Sequence, residues 1–390
     1  MTSSALNHEF GILFSISYVA RTLSIVIQSV TPLVLVELFS FPPSAVGYVI
    51  AGYWIANGTG TLFALGVVKK PRFSTLLGFL ILAVCLAGFA VSTSSILFEF
   101  WVVLSGFGLA ILQAFLVPSM YSMGEGDRPH SGIGIYSVAL SLGLISGPLL
   151  GSALVRFYGY GVLFFVLSGL AVLMLAASKL STVQRTSNKW NSSFAASPSA
   201  ILSMFRRRGF ANIYAQNFLY SLLLPIFVTY GGIFAGASFG VSTSMALILF
   251  TGTFVVSTLI RMVYSRIRIH SFHIVLAIGF LCLAVSFILI GAAKSFPLFL
   301  LGFLLYGVPH ALVYPSMTFI ALETGGAEGV VSTSYLFATS SGVAEFIAPL
   351  AAVPIIVRYG LGSVFILMAI VPLIALAVLV SMPRDIVRAR

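Results

Sequence analysis

The segment GIYSVALSLGLISGPLLGS, residues 134–152, is apolar, carries no charge and contains regularly spaced glycines. Gly143, Gly147 and Gly151 recur every four residues, so on a helix they line one face and leave a groove that a neighbouring helix can fill. Pro148 removes one backbone donor and permits a bend in the same helix. Close helix packing, as in any protein with many membrane helices, explains this spacing without any functional role.

The composition of the whole chain excludes a water-soluble protein. Charged residues make up 7% of the 390 residues and hydrophobic residues 59%, whereas roughly 25% of a soluble domain is charged. The two cysteines, Cys85 and Cys282, lie in apolar runs, so we expect neither a disulfide framework nor a metal cluster. The sequence has no phosphate-binding loop, zinc-ligand spacing or Ser/His/Asp triad. We therefore expect no enzyme activity and no cofactor.

Apolar runs long enough to cross a bilayer recur along the chain, since a helix needs roughly 20 residues to do so. The pattern predicts an all-α polytopic membrane protein with twelve transmembrane helices, called spans 1 to 12 below. Their expected limits are 11–38, 44–68, 73–93, 96–121, 131–156, 160–180, 210–236, 242–264, 271–293, 296–322, 330–357 and 361–382.

One long polar stretch divides these spans into two sets of six. We expect an N-terminal six-helix bundle over 1–180, a cytoplasmic linker over 181–209 and a C-terminal six-helix bundle over 210–390. Within the linker, Ala200–Phe205 is the right length for a short helix at the membrane interface. The N-terminal segment lacks the features of a cleaved signal peptide, so we expect it to be retained.

Basic residues set the predicted orientation. Sixteen Lys and Arg residues fall at one set of span ends and three at the other, and cytoplasmic loops carry the excess. Both termini and the linker are therefore expected in the cytoplasm. The formal net charge of +11 then reflects topology and contact with anionic lipids, and we expect no nucleic-acid partner.

The two halves of the chain also resemble each other. Gly78-Phe79-Leu80 in span 3 recurs as Gly279-Phe280-Leu281 in span 9, and Pro118-Ser119-Met120 recurs as Pro315-Ser316-Met317. Pro148 and Pro349, in spans 5 and 11, continue the same register. This order predicts a parallel duplication of one six-helix unit.

With Gly134 added, the glycine and proline spacing of span 5 resembles the span-5 signature of the major facilitator superfamily, particularly its drug/proton antiporter branch. The resemblance covers the whole chain and implies two six-helix bundles around a central cavity, lined chiefly by spans 1, 4, 7 and 10. It also implies a small-molecule substrate, a monomer and a place in the plasma membrane.

Two features depart from that family pattern. Lys70 occupies the position in the loop between spans 2 and 3 where the family usually has an acid, and Val102 occupies the place of the arginine often found in span 4 of proton antiporters. The missing acid puts the usual loop latch in doubt, and the missing arginine weakens the antiporter assignment.

Ionisable side chains inside a span are costly, so each needs a reason. Arg21 shares a helix face with Ser17, Ser24 and Gln28, and either binds a substrate or counter-ion, reaches the interface, or braces a neighbouring helix. Glu345 in span 11 is the proton-carrier candidate, with a structural acid as the alternative.

The remaining candidates for substrate or proton binding are polar or aromatic side chains in spans 4, 7 and 10. They are Gln113, Gln216, Asn217, Tyr220, Tyr306 and His310. Each is equally explained as a hydrogen bond between helices or as core packing. Gly134, Gly143, Gly147, Pro148 and Gly151 form the expected conformational motif.

The sequence favours a secondary active transporter of a small, partly apolar organic molecule, with proton-coupled export as the expected form. Uptake or facilitated diffusion of an organic anion or metabolite, with Arg21 as its charge partner, is the alternative within transport. A membrane sensor that does not transport is the alternative from another class.

Overall fold

The computed structural model describes residues 3–68, 70–114, 116, 119, 130–179, 198–206, 209–264, 266–267, 271–325 and 329–382. Most of this part of the chain is helical. The α-helices are Ser3–Glu37, Pro43–Phe63, Pro71–Val91, Ser95–Gln113, His130–Ser178, Pro198–Arg206, Phe210–Ser221, Leu223–Phe239, Thr243–Tyr264, Phe272–Ala292, Phe296–Leu305, Gly307–Gly325, Gly329–Tyr359, Leu361–Met368 and Ile370–Val380, and Ala64–Val68 adds a π-helical turn. Most of the linker over 181–209, as well as Pro118 and Met120, lies outside the described residues.

Ten helical segments in the described part of the chain are long and apolar enough to cross a membrane. One of them, Tyr136–Ser178, contains both span 5 and span 6 and has a non-helical residue at Gly159, with φ 79° and ψ 177°. Span 2, Pro43–Phe63, is a helix of 21 residues outside those ten. Dividing the long helix at Gly159 and adding span 2 gives the twelve predicted spans.

In three spans of the second half, the helical hydrogen-bond pattern is interrupted at a single residue whose backbone angles stay helical. The breaks lie at Leu222 in span 7, Tyr306 in span 10 and Ala369 in span 12, and each is followed three positions later by a proline. Proline has no N–H to donate to the carbonyl four residues before it, so the helical ladder loses a bond there. Pro148, in contrast, lies inside the long helix that contains span 5.

The chain forms two compact units. The first comprises Met1–Phe41, Gly52–Ser192 and Thr243–Thr251, and the second comprises Pro42–Ala51, Ser193–Ser242 and Gly252–Arg390. The first turns of span 2 therefore count with the second unit, and those of span 8 with the first. The division of the sequence into 1–180, 181–209 and 210–390 stays a prediction.

The predicted duplication is visible in how each unit packs its third span on its fourth. A Cβ added to Gly78 would lie 2.6 Å from Leu112 Cβ, and one added to Gly279 would contact the side chain of Val313. Gly279 follows Gly78 by 201 positions, and Val313 follows Leu112 by the same number. Since a clash-free approach requires glycine at both places, the two units share one packing solution.

The packing of the second span on the fourth repeats in the same way. A Cβ added to Gly106 would contact the carbonyl oxygen of Tyr53, and one added to Gly307 would lie 2.5 Å from the carbonyl oxygen of Thr253. Both contacts bring two helix backbones together through a glycine, as is common in membrane helix packing. The fold is thus two parallel repeats of one six-helix arrangement.

Candidate functional site

Span 5 packs its glycine face on span 1 within the first unit. A Cβ added to Gly143 would lie 2.8 Å from the carbonyl oxygen of Tyr18 and 2.9 Å from Arg21 Cβ. One added to Gly147 would lie 2.7 Å from Ile25 Cγ2. The groove described in the sequence is therefore filled by the backbone of span 1, and any side chain at these glycines must displace it.

The polar face of span 1 continues from this contact into a small hydrogen-bonded group. Gln28 donates from Nε2 to Ser24 Oγ at 3.0 Å and to the hydroxyl of Tyr53 at 3.3 Å. Tyr18, on the same span, donates from its hydroxyl to Ser146 Oγ at 2.9 Å. Arg21 is half-buried between these contacts along the helix. Span 1 thus presents one cationic group beside several neutral polar groups.

In the second unit, Asn217 of span 7 binds span 11. Its Nδ2 donates to the carbonyl oxygen of Phe337 at 3.0 Å and to Ser341 Oγ at 3.1 Å. Ser221, one turn further along span 7, donates to the same Ser341 oxygen at 2.9 Å. Asn217 is fully buried. Spans 7 and 11 are therefore joined by polar contacts inside the membrane region.

One turn further along both spans lie Tyr220 and Glu345. Both of these residues interact electrostatically with the fully buried Tyr306 of span 10. The Tyr306 ring lies flat on Phe227, with 3.9 Å between ring centroids and 5° between ring planes. We call Asn217, Tyr220, Tyr306, Ser341 and Glu345 the polar cluster. It brings together four candidates that the sequence places on three different spans.

Of the other candidates, His310 lies one turn from Tyr306 of the polar cluster, with 6.4 Å between the ring centroids. His310 Nδ1 is 2.9 Å from Ser257 Oγ, and its carbonyl accepts a hydrogen bond from Arg261 at 3.2 Å. Gln216, although adjacent to Asn217 in sequence, directs its Nε2 to Met382 Sδ at 3.9 Å. Gln113 is half-buried at the last residue of its helix, and Gly134 lies in the long helix that contains span 5.

A second polar group, which the sequence does not single out, lies in the first unit. Glu37 accepts hydrogen bonds from Tyr160 at 2.5 Å and from Thr243, and the hydroxyl oxygens of Tyr160 and Thr243 lie 2.8 Å apart. Ser152 and Ser244 pair at 2.8 Å beside it. Glu37 lies at the end of span 1 and Thr243 at the first residue of span 8. In the sequence, only the acid at the end of span 1 and the Thr-Ser pair at the start of span 8 point to this contact.

The loop between spans 2 and 3, which lacks the acid usual in the family, contacts the end of span 6. Arg72 donates from Nη2 to the carbonyl oxygen of Lys179 at 2.9 Å, just past the end of the helix that contains span 6. The last carbonyls of a helix carry partial negative charge and lack intrahelical donors. The partner of this arginine is therefore the carbonyl at a helix end and not an acidic side chain.

The structure resembles solved transporters over nearly its full length. The matches include the nucleoside transporter NupG, at 14% identity and TM-score 0.76, covering 96% of this chain and 98% of that one. A POT family transporter in complex with a thioalcohol-conjugated peptide matches at 12% identity and TM-score 0.78, covering 97% and 96%. The human organic anion transporter MFSD10 (TETRAN) matches at 18% identity and TM-score 0.67, covering 96% and 99%.

At these identities the structural likeness establishes the fold and leaves the substrate open. No curated protein matches the sequence. Residues 10–349, however, match the Major Facilitator Superfamily as a sequence family. With its repeated six-helix units and its multi-pass membrane architecture, the chain belongs to the Major Facilitator Superfamily of membrane transporters.

Proposed function

We propose that this protein is a secondary active transporter that moves a small, partly apolar organic molecule by alternating access. The proposed form is proton-coupled export across the plasma membrane, with both termini and the linker in the cytoplasm. The positive charge at the cytoplasmic span ends supports this orientation. The protein is proposed to act as a monomer with protons as its coupling ion.

The observation that carries the proposal is the place of Glu345 in the polar cluster. Glu345 is half-buried on span 11 and lies near the fully buried Tyr306. A charged carboxylate has a high free energy in such surroundings. Binding a proton or pairing with a cation therefore stabilises the group. A group with two such states is what coupling of a substrate to protons requires.

Proteins of the same fold support a transport role without fixing the substrate. Solved structures with this architecture include a nucleoside transporter, a peptide transporter and an organic anion transporter. Their names give three different classes of cargo. The substrate class of this protein must therefore be argued from its own residues.

Reconstitution into liposomes tests the proposal. Wild-type protein should move a lipophilic cationic dye when a pH gradient is imposed, and Glu345→Gln should abolish this gradient-driven movement while dye exchange without net proton movement continues. Glu99→Gln, in the first turns of span 4, is the matched control and should keep gradient-driven transport. Wild-type pH dependence in Glu345→Gln would overturn the role of Glu345.

A second candidate function is uptake or facilitated diffusion of an organic anion. The half-buried Arg21, on the hydrogen-bonded polar face of span 1, favours it. The same liposomes loaded with an aromatic carboxylate distinguish the two, because anion movement should then depend on Arg21 and ignore the pH gradient. Binding of either probe with no movement across the bilayer would instead favour the sensor.

A further inference from the structure

Two polar atoms of the polar cluster are buried without a hydrogen-bond partner in the described part of the chain. They are Oδ1 of Asn217 and the hydroxyl oxygen of Tyr306, and both side chains are fully buried. Buried polar groups are nearly always hydrogen-bonded, because a buried group without a partner loses its hydration and gains nothing in return. Two of them on neighbouring helices therefore call for an explanation.

The orientation of the Asn217 amide follows from its partners. The carbonyl oxygen of Phe337 can only accept, so the atom that faces it at 3.0 Å must be the amino group of Asn217. That amino group donates its second hydrogen to Ser341 Oγ. Asn217 has no donor left and offers one unused acceptor, Oδ1.

The two atoms belong to one continuous site. Asn217 and Tyr220 are three residues apart and share a face of span 7, while Ser341 and Glu345 are four apart and share a face of span 11. Asn217 binds Ser341, and Tyr306 interacts with both Tyr220 and Glu345. The unused acceptor and the unused hydroxyl therefore belong to side chains of the same cluster.

The chemistry of this site selects its ligand. An amide oxygen, a carboxylate and a tyrosine hydroxyl can all accept hydrogen bonds, so the ligand must bring several donors. A nearby acid favours a positive charge on those donors, and the aromatic side chains around Tyr306, among them Phe227 and Phe287, favour an apolar aromatic body. We infer that the polar cluster binds the N–H-bearing ammonium group of an aromatic amine, as the substrate of the transport function proposed above, on which this inference rests.

Two probes of equal charge test the role of the N–H donors. Phenethylammonium carries three N–H groups, whereas its N,N,N-trimethyl analogue has the same charge and ring and none. Binding to purified wild-type protein, measured by calorimetry and by the shift in thermal unfolding midpoint, should be at least about tenfold tighter for phenethylammonium. 3-Phenylpropanoate, of similar size with a carboxylate, should not bind the cluster.

Tyr306→Phe removes the hydroxyl and keeps the ring on Phe227. Because that hydroxyl has no hydrogen bond to lose, the variant should fold as stably as wild type or more so. It should bind phenethylammonium roughly tenfold more weakly while its affinity for the trimethyl analogue stays the same. This double readout separates loss of a ligand contact from general damage.

Tyr230→Phe is the matched control. The Tyr230 hydroxyl is also buried without a hydrogen-bond partner in the described part of the chain, but it lies ten residues beyond Tyr220, about 15 Å along span 7. Its removal should leave the affinity for phenethylammonium unchanged. An equal loss in Tyr230→Phe would assign the Tyr306→Phe effect to the helix as a whole and overturn the inference.

Equal affinity for the two ammonium probes, preference for the carboxylate, or no binding of phenethylammonium at millimolar concentration would each overturn the inference. These outcomes are distinct from failure of the proposed function. If phenethylammonium binds with the expected N–H preference but liposomes show no movement, the binding site stands and transport falls. If a pH gradient drives transport, with Glu345 required, but the two ammonium probes bind equally well, transport stands and the amine site falls.

Discussion

Tyr160 donates a hydrogen bond to the carboxylate of Glu37 at 2.5 Å, although the two residues are 123 positions apart in the chain. Thr243, which is 206 positions from Glu37, donates to its other carboxylate oxygen. The end of span 1 and the starts of spans 6 and 8 therefore meet at one acid. An acid beside the first residue of a helix is also favoured by the partial positive charge there.

Removing the Tyr160 hydroxyl should weaken this contact. We expect Tyr160→Phe to lower the free energy of unfolding in detergent by about 1 kcal/mol or somewhat more, because a hydrogen bond to a charged group is lost. Tyr158→Phe, two residues earlier and highly exposed, is the control and should change little. A thermal melt of the two variants side by side decides the matter, and equal melting points would contradict the prediction.

The contact between spans 5 and 1 gives a second prediction. Gly143→Ala places a methyl group within 3 Å of the Tyr18 carbonyl oxygen and of Arg21 Cβ, so we expect overpacking to cost about 1–3 kcal/mol. Gly169→Ala in span 6, where nothing lies within 4 Å, should be tolerated. Extraction yield and thermal midpoint measure the difference. A stable Gly143→Ala would mean that span 1 can move away freely.

A third prediction concerns Gly47 in the first turns of span 2. A Cβ there would lie 2.6 Å from the Tyr230 hydroxyl and 2.8 Å from the carbonyl oxygen of Pro349. Gly47→Ala should therefore lower the thermal midpoint and reduce transport, since backbone on one side cannot move aside like a flexible side chain. Gly58→Ala on the same helix meets nothing within 4 Å and serves as the control. Indistinguishable variants would refute the close approach.

Arg21 supplies a fourth prediction. If it binds an anionic substrate, Arg21→Lys should raise the apparent KM because a point charge replaces a two-pronged donor, and Arg21→Ala should raise it further or stop transport. Arg156→Ala, an exposed arginine in the same unit, is the control. Initial rates over a range of aromatic carboxylate concentrations give the KM values. Normal transport by Arg21→Ala would leave this arginine with a structural role.

The sequence predicted the helices better than the contacts between them. The spacing of Gly143 and Gly147 indicated a groove, but not that span 1 fills it, because periodicity describes one helix and the partner depends on tertiary topology. Glu37 looked unremarkable for the same reason, since its donors are more than a hundred residues away. Phe227 was invisible among 34 phenylalanines, and only its stacking on Tyr306 distinguishes it.

The helix breaks were within reach of sequence reasoning but were not predicted. Each break is followed three residues later by a proline, namely Pro225, Pro309 or Pro372. The backbone bond that this proline cannot donate would end on the carbonyl just before the break. Pro148 and Pro349 lie within longer helices, so proline alone does not decide the outcome. Proline always removes one backbone bond, and the surrounding packing determines how far the helix bends there.

The breaks at Leu222 and Tyr306 have a mechanical consequence. Pro225 and Pro309 deprive the carbonyls of Ser221 and Leu305 of their usual donors, next to Tyr220 and Tyr306 of the polar cluster. Both spans keep helical backbone angles at these residues, with φ −64° at Leu222 and φ −55° at Tyr306, but each lacks one backbone hydrogen bond there. Bending of either span at this point costs less than elsewhere along it, because the bond that would resist it is absent.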